Sequence, residues 1–208
     1  MTEEKMPPER EDARRTLDDW MHTQAKVVTV PLARMLAAVH LTPNAMTIIG
    51  FALNVVAAWI VASGRLQFGG AFMLFASGLD GLDGALARLT NAQSRFGAFL
   101  DSTFDRLSEG ALLLGLAAWS LTEGRTLELY LIYLTLLGSV MVSYTRARAE
   151  GLGLNCTVGL LTRPMRVALL GLALLTLWLR PILAVLTVLI WFTVFQRIVH
   201  VYRVARRA

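Results

Sequence analysis

The chain has 208 residues, of which 55% are hydrophobic and 17% charged, and its formal net charge is +5. This length fits one domain, and the long apolar runs argue against a soluble helical bundle, in which each helix needs a charged face. The composition therefore predicts an all-α integral membrane protein. We expect the lipid bilayer, and no nucleic acid, among its partners.

The N-terminal region precedes the first long apolar run. Residues 1–15 are acidic and basic throughout, contain no apolar core before a small-residue cleavage site, and are expected to form a polar tail rather than a signal peptide. Residues 16 to about 40 are moderately apolar with polar residues along one side. This pattern is typical of an interfacial amphipathic helix that lies along the bilayer.

Six apolar segments follow, at about 46–63, 67–87, 97–121, 127–147, 165–180 and 182–202. Each approaches the ~20 residues with which a helix crosses about 30 Å of hydrocarbon. We therefore predict one membrane domain over residues 16–208, in which six transmembrane helices follow the interfacial helix.

Positive charge is concentrated at both termini and in every second loop, which contain Arg88 and Arg95, then Arg146, Arg148, Arg163 and Arg166. The alternate loops are short and contain only Arg65, Arg125 and Arg180. Lys and Arg are enriched in cytoplasmic loops. The pattern predicts a multi-pass protein of the cytoplasmic membrane with both termini, and the functional site, on the cytoplasmic side.

Four aspartates lie in or beside the second and third predicted spans: Asp80, Asp83, Asp101 and Asp105. The members of each pair are three or four residues apart and would share one face of a helix. Because the two spans are antiparallel, we expect all four carboxylates to converge. Four mid-span aspartates would oppose insertion by roughly 10 kcal/mol, at ~2.5–3.5 kcal/mol each. Bound cations would offset both this cost and the mutual repulsion.

Carboxylates without nearby His or Cys suit Mg²⁺ or Mn²⁺, and paired ions about 3.5–4 Å apart are common in phosphoryl chemistry. Gly84 and Gly97 lie one helical turn from Asp80 and Asp101, where small residues permit close approach of a ligand or helix. Arg88 follows Gly84 by one turn and suits a phosphate. An alternative for one carboxylate, though not for four, is simple pairing with an arginine.

The run Asp80-x-x-Asp83-Gly84-x-x-Ala87-Arg88, then eight residues, then Gly97-x-x-x-Asp101-x-x-x-Asp105, resembles the pattern that defines the CDP-alcohol phosphotransferase family. The six-span layout is similar over about residues 16–205. The resemblance implies a homodimeric enzyme that transfers a phosphatidyl-type group from a CDP-linked lipid, such as CDP-diacylglycerol or CDP-archaeol, to a hydroxyl and releases CMP. It also implies that the four aspartates hold two Mg²⁺ or Mn²⁺ ions and that Asp105 is the general base.

The family's contacts with the CDP-linked lipid map onto Asn44, Thr47, Gly84, Arg88 and Ser94. From the residues alone, Asn44 and Thr47 predict a cap at the start of the first span. Both roles are compatible.

Residues further along the chain bear on the identity of the acceptor. The run from Ser143 to Glu150, SYTRARAE, resembles the branch that makes phosphatidylinositol phosphate from inositol 1-phosphate, and its archaeal ether-lipid relatives. The resemblance implies an acceptor-phosphate site, which we assign to Ser143, Arg146, Arg163, Arg166 and Arg197. An arginine inside a span, such as Arg197, is costly unless it meets an anion or water.

Two departures from that branch keep glycerol 3-phosphate as an alternative acceptor. The branch usually has Lys at the place of Arg146, and Glu at the places of Thr162 and Met165. Without these acidic neighbours, Arg163 and Arg166 could be freer than in the branch, or could simply reflect the positive charge of a cytoplasmic loop.

Two alternatives belong to other functional classes. A Mg²⁺ transporter is expected to show an internal repeat with acids near the midplane, and neither feature is evident. A non-catalytic membrane scaffold has little reason to contain all four aspartates together with Gly84 and Arg88. Release of CMP distinguishes the enzyme from both.

Overall fold

The computed structural model describes residues 41–80 and 82–206, together with Met35. Regular structure in these residues is entirely helical, as predicted. It comprises α1 (Pro43–Ala62), α2 (Leu66–Asp80), α3 (Leu82–Leu89), α4 (Arg95–Thr122), α5 (Thr126–Glu150), α6 (Arg163–Thr176) and α7 (Leu179–Ala205). The predicted tail at 1–15 and interfacial helix at 16–40 lie outside the described residues, apart from the helical Met35.

The predicted segment 67–87 contains α2, described up to Asp80, and α3, described from Leu82. Residue 81 lies outside the described residues. The expectation that Asp80 and Asp83 share one face of one helix therefore stays a prediction.

Three of the described helices, α1, α5 and α7, are long and apolar enough to cross a membrane. α4 has 28 residues but contains several charged side chains in its first half. α6 has 14 residues, fewer than a perpendicular span needs, and α2 is described over 15 residues up to Asp80. The apolar helices support an integral membrane protein, and the count of six spans stays a prediction.

α1 and α4 run in the same direction in close contact. A Cβ added at Gly115 of α4 would lie 2.2 Å from the carbonyl oxygen of Ala58 in α1. Nearer the start of both helices, the rings of Phe51 and Phe104 pack edge to face with centroids 5.0 Å apart. This packing brings the beginnings of α1 and α4 together, and the candidate site lies there.

Candidate active site

A cleft of about 600 Å³ opens where α3 and the beginnings of α1 and α4 meet. Its lining includes all five residues predicted to contact a CDP-linked lipid and two of the four aspartates. These residues are Asn44, Thr47, Asp83, Gly84, Arg88, Ser94 and Asp101. The structure thus gathers, into one concave surface, residues from three separate helices and the loop before α4.

The start of α1 determines where Thr47 points. The cap is Thr42, whose Oγ1 accepts a hydrogen bond of 3.2 Å from the backbone N–H of Ala45, and Pro43 occupies the first turn. The prediction that Asn44 and Thr47 cap this helix was therefore wrong, because both lie inside it. Thr47 is instead available to the cleft, where its hydroxyl donates a hydrogen bond of 2.7 Å to Oδ2 of Asp83.

Asp83 is held from two sides in the first turn of α3. Its Oδ2 accepts the bond from Thr47, and its Oδ1 accepts one from the backbone N–H of Gly84. Thr47 is 3% exposed and Asp83 is 8% exposed. A carboxylate at the beginning of a helix also interacts favourably with the helix dipole. The carboxylate therefore has a defined orientation at the wall of the cleft.

The opposite wall is the beginning of α4. Ser94 caps this helix, and its Oγ accepts a hydrogen bond of 2.9 Å from the N–H of Gly97. A Cβ at Gly97 would lie 3.0 Å from this Oγ and 3.2 Å from Oδ1 of Asn44 in α1. Glycine at 97 thus permits the close approach of α1, and Asp101 follows one turn later in the cleft.

Arg88 is the cation of the cleft that the motif predicted. It lies in the last turn of α3 and is exposed. A Cβ placed on Gly84 would be 3.6 Å from the Nη1 atom of Arg88, so the guanidinium lies over the glycine backbone. This arrangement leaves room for a ligand to approach the backbone with a positive charge beside it.

Asp105 lies one turn beyond Asp101 and lines a different, smaller cavity of about 20 Å³. It is 9% exposed. Its Oδ1 lies 2.7 Å from Nη2 of Arg163, and its Oδ2 lies 3.3 Å from Nη1 of Arg106. Asp105 thus connects the aspartate motif of α4 to the arginines at the start of α6.

Carboxylates of the kind that Mg²⁺ and Mn²⁺ prefer are present in the cleft, in Asp83 and Asp101. Within the described residues, no three His, Cys, Asp or Glu side chains are grouped closely enough to hold an ion. The side chain of Asp80 is not among those described. The donor set fits a hard divalent cation, and the convergence of all four aspartates stays a prediction.

The residues assigned to the acceptor phosphate are spread over three helices. Ser143 and Arg146 are on α5, where the Ser143 hydroxyl accepts a hydrogen bond of 2.9 Å from Nε of Arg106. Arg146 forms a 2.8 Å ion pair with Glu150, and both side chains are about half exposed. Arg163 and Arg166, on α6, line the small cavity beside Asp105.

Arg197 meets neither an anion nor a described cavity. Its Nε donates a 2.9 Å hydrogen bond to the carbonyl of Val158, and its Nη1 donates to the carbonyl of Val142. The side chain is buried, with the residue 9% exposed. Two backbone carbonyls therefore accept hydrogen bonds from this arginine, which connects the loop before α6 to α5 and α7.

The most important residue that the sequence analysis missed is Glu109. Its carboxylate accepts two hydrogen bonds of 2.8 Å from Nε and Nη2 of Arg166, and a third of 2.8 Å from the hydroxyl of Ser139. The absence of acidic neighbours at 162 and 165 thus does not leave Arg166 free, since α4 supplies the partner. The sequence did contain an indication of this residue: Glu109 follows Asp105 by four residues, the same spacing that separates Gly97, Asp101 and Asp105.

Comparison with known proteins identifies the family of the chain. The family description "CDP-alcohol phosphatidyltransferase" matches residues 40–199. An archaetidylinositol phosphate synthase of Pyrococcus horikoshii is 38% identical over 82% of this chain and 90% of its own length. A phosphatidylinositol phosphate synthase of Mycobacteroides abscessus is 42% identical over 67% of this chain and 64% of its own length.

Solved structures show the same similarity. Mycobacterium tuberculosis phosphatidylinositol phosphate synthase, in complex with manganese and citrate, matches with a TM-score of 0.78 and 34% identity, over 84% of this chain and 89% of that one. The same enzyme with CDP-DAG bound matches with the same score and identity, over 84% of this chain and 94% of that one.

The motif at Asp80–Asp105, the cleft it lines and the match over residues 40–199 lead to one conclusion. The chain belongs to the CDP-alcohol phosphatidyltransferase family and is a transferase of phospholipid biosynthesis.

Proposed function

We propose that this protein transfers a phosphatidyl-type group from a CDP-linked lipid to the hydroxyl of inositol 1-phosphate and releases CMP. The observation that carries the proposal is the cleft of about 600 Å³, which is lined by motif aspartates and by every residue assigned to the CDP-lipid. The names of the relatives, which are inositol phosphate-lipid synthases, support the choice of acceptor.

The cleft offers three features that suit a nucleoside diphosphate. Arg88 places a guanidinium over the bare backbone of Gly84, where a diphosphate oxygen could approach. Ser94 ends the loop that leads into α4, and the N–H groups of the first turn of α4 add positive potential at the same wall. Asn44, from α1, adds an amide beside them.

In this proposal Asp80, Asp83, Asp101 and Asp105 hold two divalent cations, Mg²⁺ or Mn²⁺. The manganese in the solved relative supports this assignment. When bound, such ions reduce the repulsion between an incoming hydroxyl and the diphosphate and stabilise the departing CMP. Thr47 keeps the carboxylate of Asp83 in one orientation through the 2.7 Å hydrogen bond.

Asp105 is the proposed general base for the acceptor hydroxyl. It lies next to Arg163, whose side chain is 26% exposed, and the acceptor's phosphate is proposed to bind among the basic residues of α5, α6 and α7. Of the four arginines assigned to this site, Arg146 and Arg163 have the most accessible side chains. A phosphate bound there would bring the sugar hydroxyl towards the base, which is positioning of the kind that accelerates a two-substrate reaction.

The test is CMP release by the purified full-length protein in lipid nanodiscs with Mg²⁺. CDP-diacylglycerol and CDP-archaeol are each supplied with inositol 1-phosphate, glycerol 3-phosphate, inositol or serine. Release with inositol 1-phosphate alone supports the proposal. Release with glycerol 3-phosphate alone would identify that compound as the acceptor instead. No release with any pair of substrates would favour the transporter or scaffold alternatives.

We also propose the orientation predicted from the loop charges, with both termini and the site on the cytoplasmic side of the cytoplasmic membrane, and the homodimer that the family resemblance implies. Cys156 is buried, so single cysteines introduced at Gln93 and Glu123, in loops predicted to be on opposite sides, can report topology in spheroplasts. A membrane-impermeant maleimide should label the cysteine at 123 but not the one at 93. The reverse pattern would invert the topology.

A further inference from the structure

A buried ion pair, Glu109 with Arg166, lines the same small cavity as Asp105 and Arg163. The Glu109 side chain is 9% exposed and that of Arg166 is 4% exposed. Two parallel N–H···O bonds of 2.8 Å join them, and Ser139 donates to the same carboxylate from α5. One charged pair thus links α4, α5 and α6.

The pair fixes the orientation of Arg166 and not merely its charge. A guanidinium that donates two bonds to one carboxylate is restricted to the plane of that carboxylate. Two of its N–H groups are then bonded to Glu109. Because both side chains are buried, breaking these bonds would leave a charge without a partner and without water. Arg166 is therefore a poor candidate for direct capture of an incoming phosphate.

Arg163 lies one turn before Arg166, at the first residue of α6. Asp105 lies one turn before Glu109 on α4, so two ion pairs lie side by side between these helices. The backbone N–H of Arg166 donates to the carbonyl of Thr162 and closes the first turn of α6. The N-cap Thr162 makes no side-chain capping bond. The Glu109 contact therefore restrains this turn together with the Arg163–Asp105 pair and the hydrogen bond from the N–H of Leu161 to Thr193.

We propose that Glu109 is a positioning residue: by holding Arg166 against α4, it fixes the first turn of α6 so that Arg163 presents its guanidinium to the acceptor phosphate beside Asp105. Arg166 and Glu109 form the anchor, and Arg163 makes the contact. This inference rests on the proposed function, because it assigns a role to the acceptor site of that reaction.

The first experiment compares Glu109→Gln with the wild type in CMP release, with each substrate varied in turn. Glutamine preserves the size of the side chain but presents an N–H₂ group to the guanidinium. We expect the KM for inositol 1-phosphate to rise by about 10-fold or more, the factor that corresponds to losing one hydrogen bond between charged groups. The KM for the CDP-lipid should change less than about twofold, because the cleft of about 600 Å³ does not include Glu109.

Two further variants separate positioning from folding. Glu123→Gln removes an exposed carboxylate at the other end of α4 and should leave both KM values unchanged. The double variant Glu109→Leu, Arg166→Met replaces the buried pair with apolar side chains, an exchange that often preserves stability. It should melt near the wild-type temperature and still show the raised acceptor KM. A wild-type acceptor KM in this double variant would overturn the proposal.

Hydrogen exchange tests the role of Glu109 without requiring that the protein catalyse the proposed reaction. Amide hydrogen exchange of the peptide covering residues 160–168 should be faster in Glu109→Gln, while a peptide from α7 should be unchanged. If no acceptor supports CMP release by the wild type, the proposed function fails, and the exchange result still decides whether Glu109 anchors α6. Unchanged exchange in residues 160–168 would refute the anchor.

Discussion

The hydrogen bond from Thr47 to Asp83 gives the sharpest test of the proposed metal site. Thr47→Val removes a hydroxyl and adds a methyl of similar size at a position that is 3% exposed. The lost bond is 2.7 Å long, is buried, and ends on a carboxylate. Hydrogen bonds to charged groups contribute about 1.5–3 kcal/mol, which corresponds to a factor of roughly 10 to 150 in an equilibrium constant.

Because Asp83 would lose one of its two described orienting bonds, we expect that free energy to appear in cation affinity. The assay is CMP release by Thr47→Val over a range of Mg²⁺ concentrations. The concentration for half-maximal activity should rise by roughly 10- to 100-fold, the usual cost of removing a contact behind a metal ligand, and excess Mg²⁺ should restore most of kcat.

Two control variants make the Thr47 result interpretable. Thr47→Ser retains the hydroxyl and should behave as the wild type. Thr122→Val removes an exposed hydroxyl that bonds only within α4 at its far end, to the carbonyl of Trp119, and should leave the Mg²⁺ requirement unchanged. An unaltered Mg²⁺ requirement in Thr47→Val would refute the reasoning, since Asp83 would then not depend on α1 for its orientation.

Three further predictions test the other parts of the site. Gly97→Ala should raise the KM for the CDP-lipid several-fold, because the new Cβ would lie 3.0 Å from the Ser94 cap of α4 and 3.2 Å from Asn44 of α1. The control is Gly110→Ala, whose Cβ would lie 3.8 Å from its neighbour and should have little effect. Arg197→Met removes two hydrogen bonds to backbone carbonyls and should lower the free energy of unfolding by about 1–3 kcal/mol in thermal or denaturant unfolding, whereas the exposed Arg203→Met should not. Asp105→Ala should abolish CMP release while CDP-lipid binding, followed by calorimetry, is largely retained; substantial remaining turnover would exclude Asp105 as the base.

Local spacing in the sequence predicted the parts of the site that lie within one helix. Gly97, Asp101 and Asp105 are four residues apart and do lie on one continuous helix, α4. Spacing alone did not show that α1 would pack against α4, since Asn44 and Gly97 are more than fifty residues apart. That juxtaposition depends on the close contact of Gly115 with Ala58, and only the resemblance to a family placed Asn44 in the site.

One error has a specific physical origin. The cap of α1 was misplaced because Asn44 is a good capping residue in isolation, although Thr42 followed by Pro43 is the stronger signal. Apolar periodicity cannot distinguish these cases, because it reports burial and not hydrogen bonding.

The sequence analysis differed most from the structure in the environments of the arginines, and this difference matters for the choice of acceptor. In a chain this apolar, each buried cation needs a partner, so a count of arginines overstates the charge available to a substrate. Arg166 is paired with Glu109, and Arg197 with backbone carbonyls. Arg146 remains accessible, and its exposed pair with Glu150, one turn away, contributes only about 0.3–0.5 kcal/mol and is easily exchanged for a phosphate.

Among the arginines assigned to the acceptor, Arg163 is the second accessible one, with its Nη2 atom 2.7 Å from Oδ1 of Asp105, the proposed base. A phosphate monoester has a charge of about −1.5 to −2 near neutral pH, and it would have to compete with Asp105 for Arg163 and with Glu150 for Arg146. An unphosphorylated polyol lacks the charge to do so. We therefore predict that inositol and serine support less CMP release than inositol 1-phosphate or glycerol 3-phosphate.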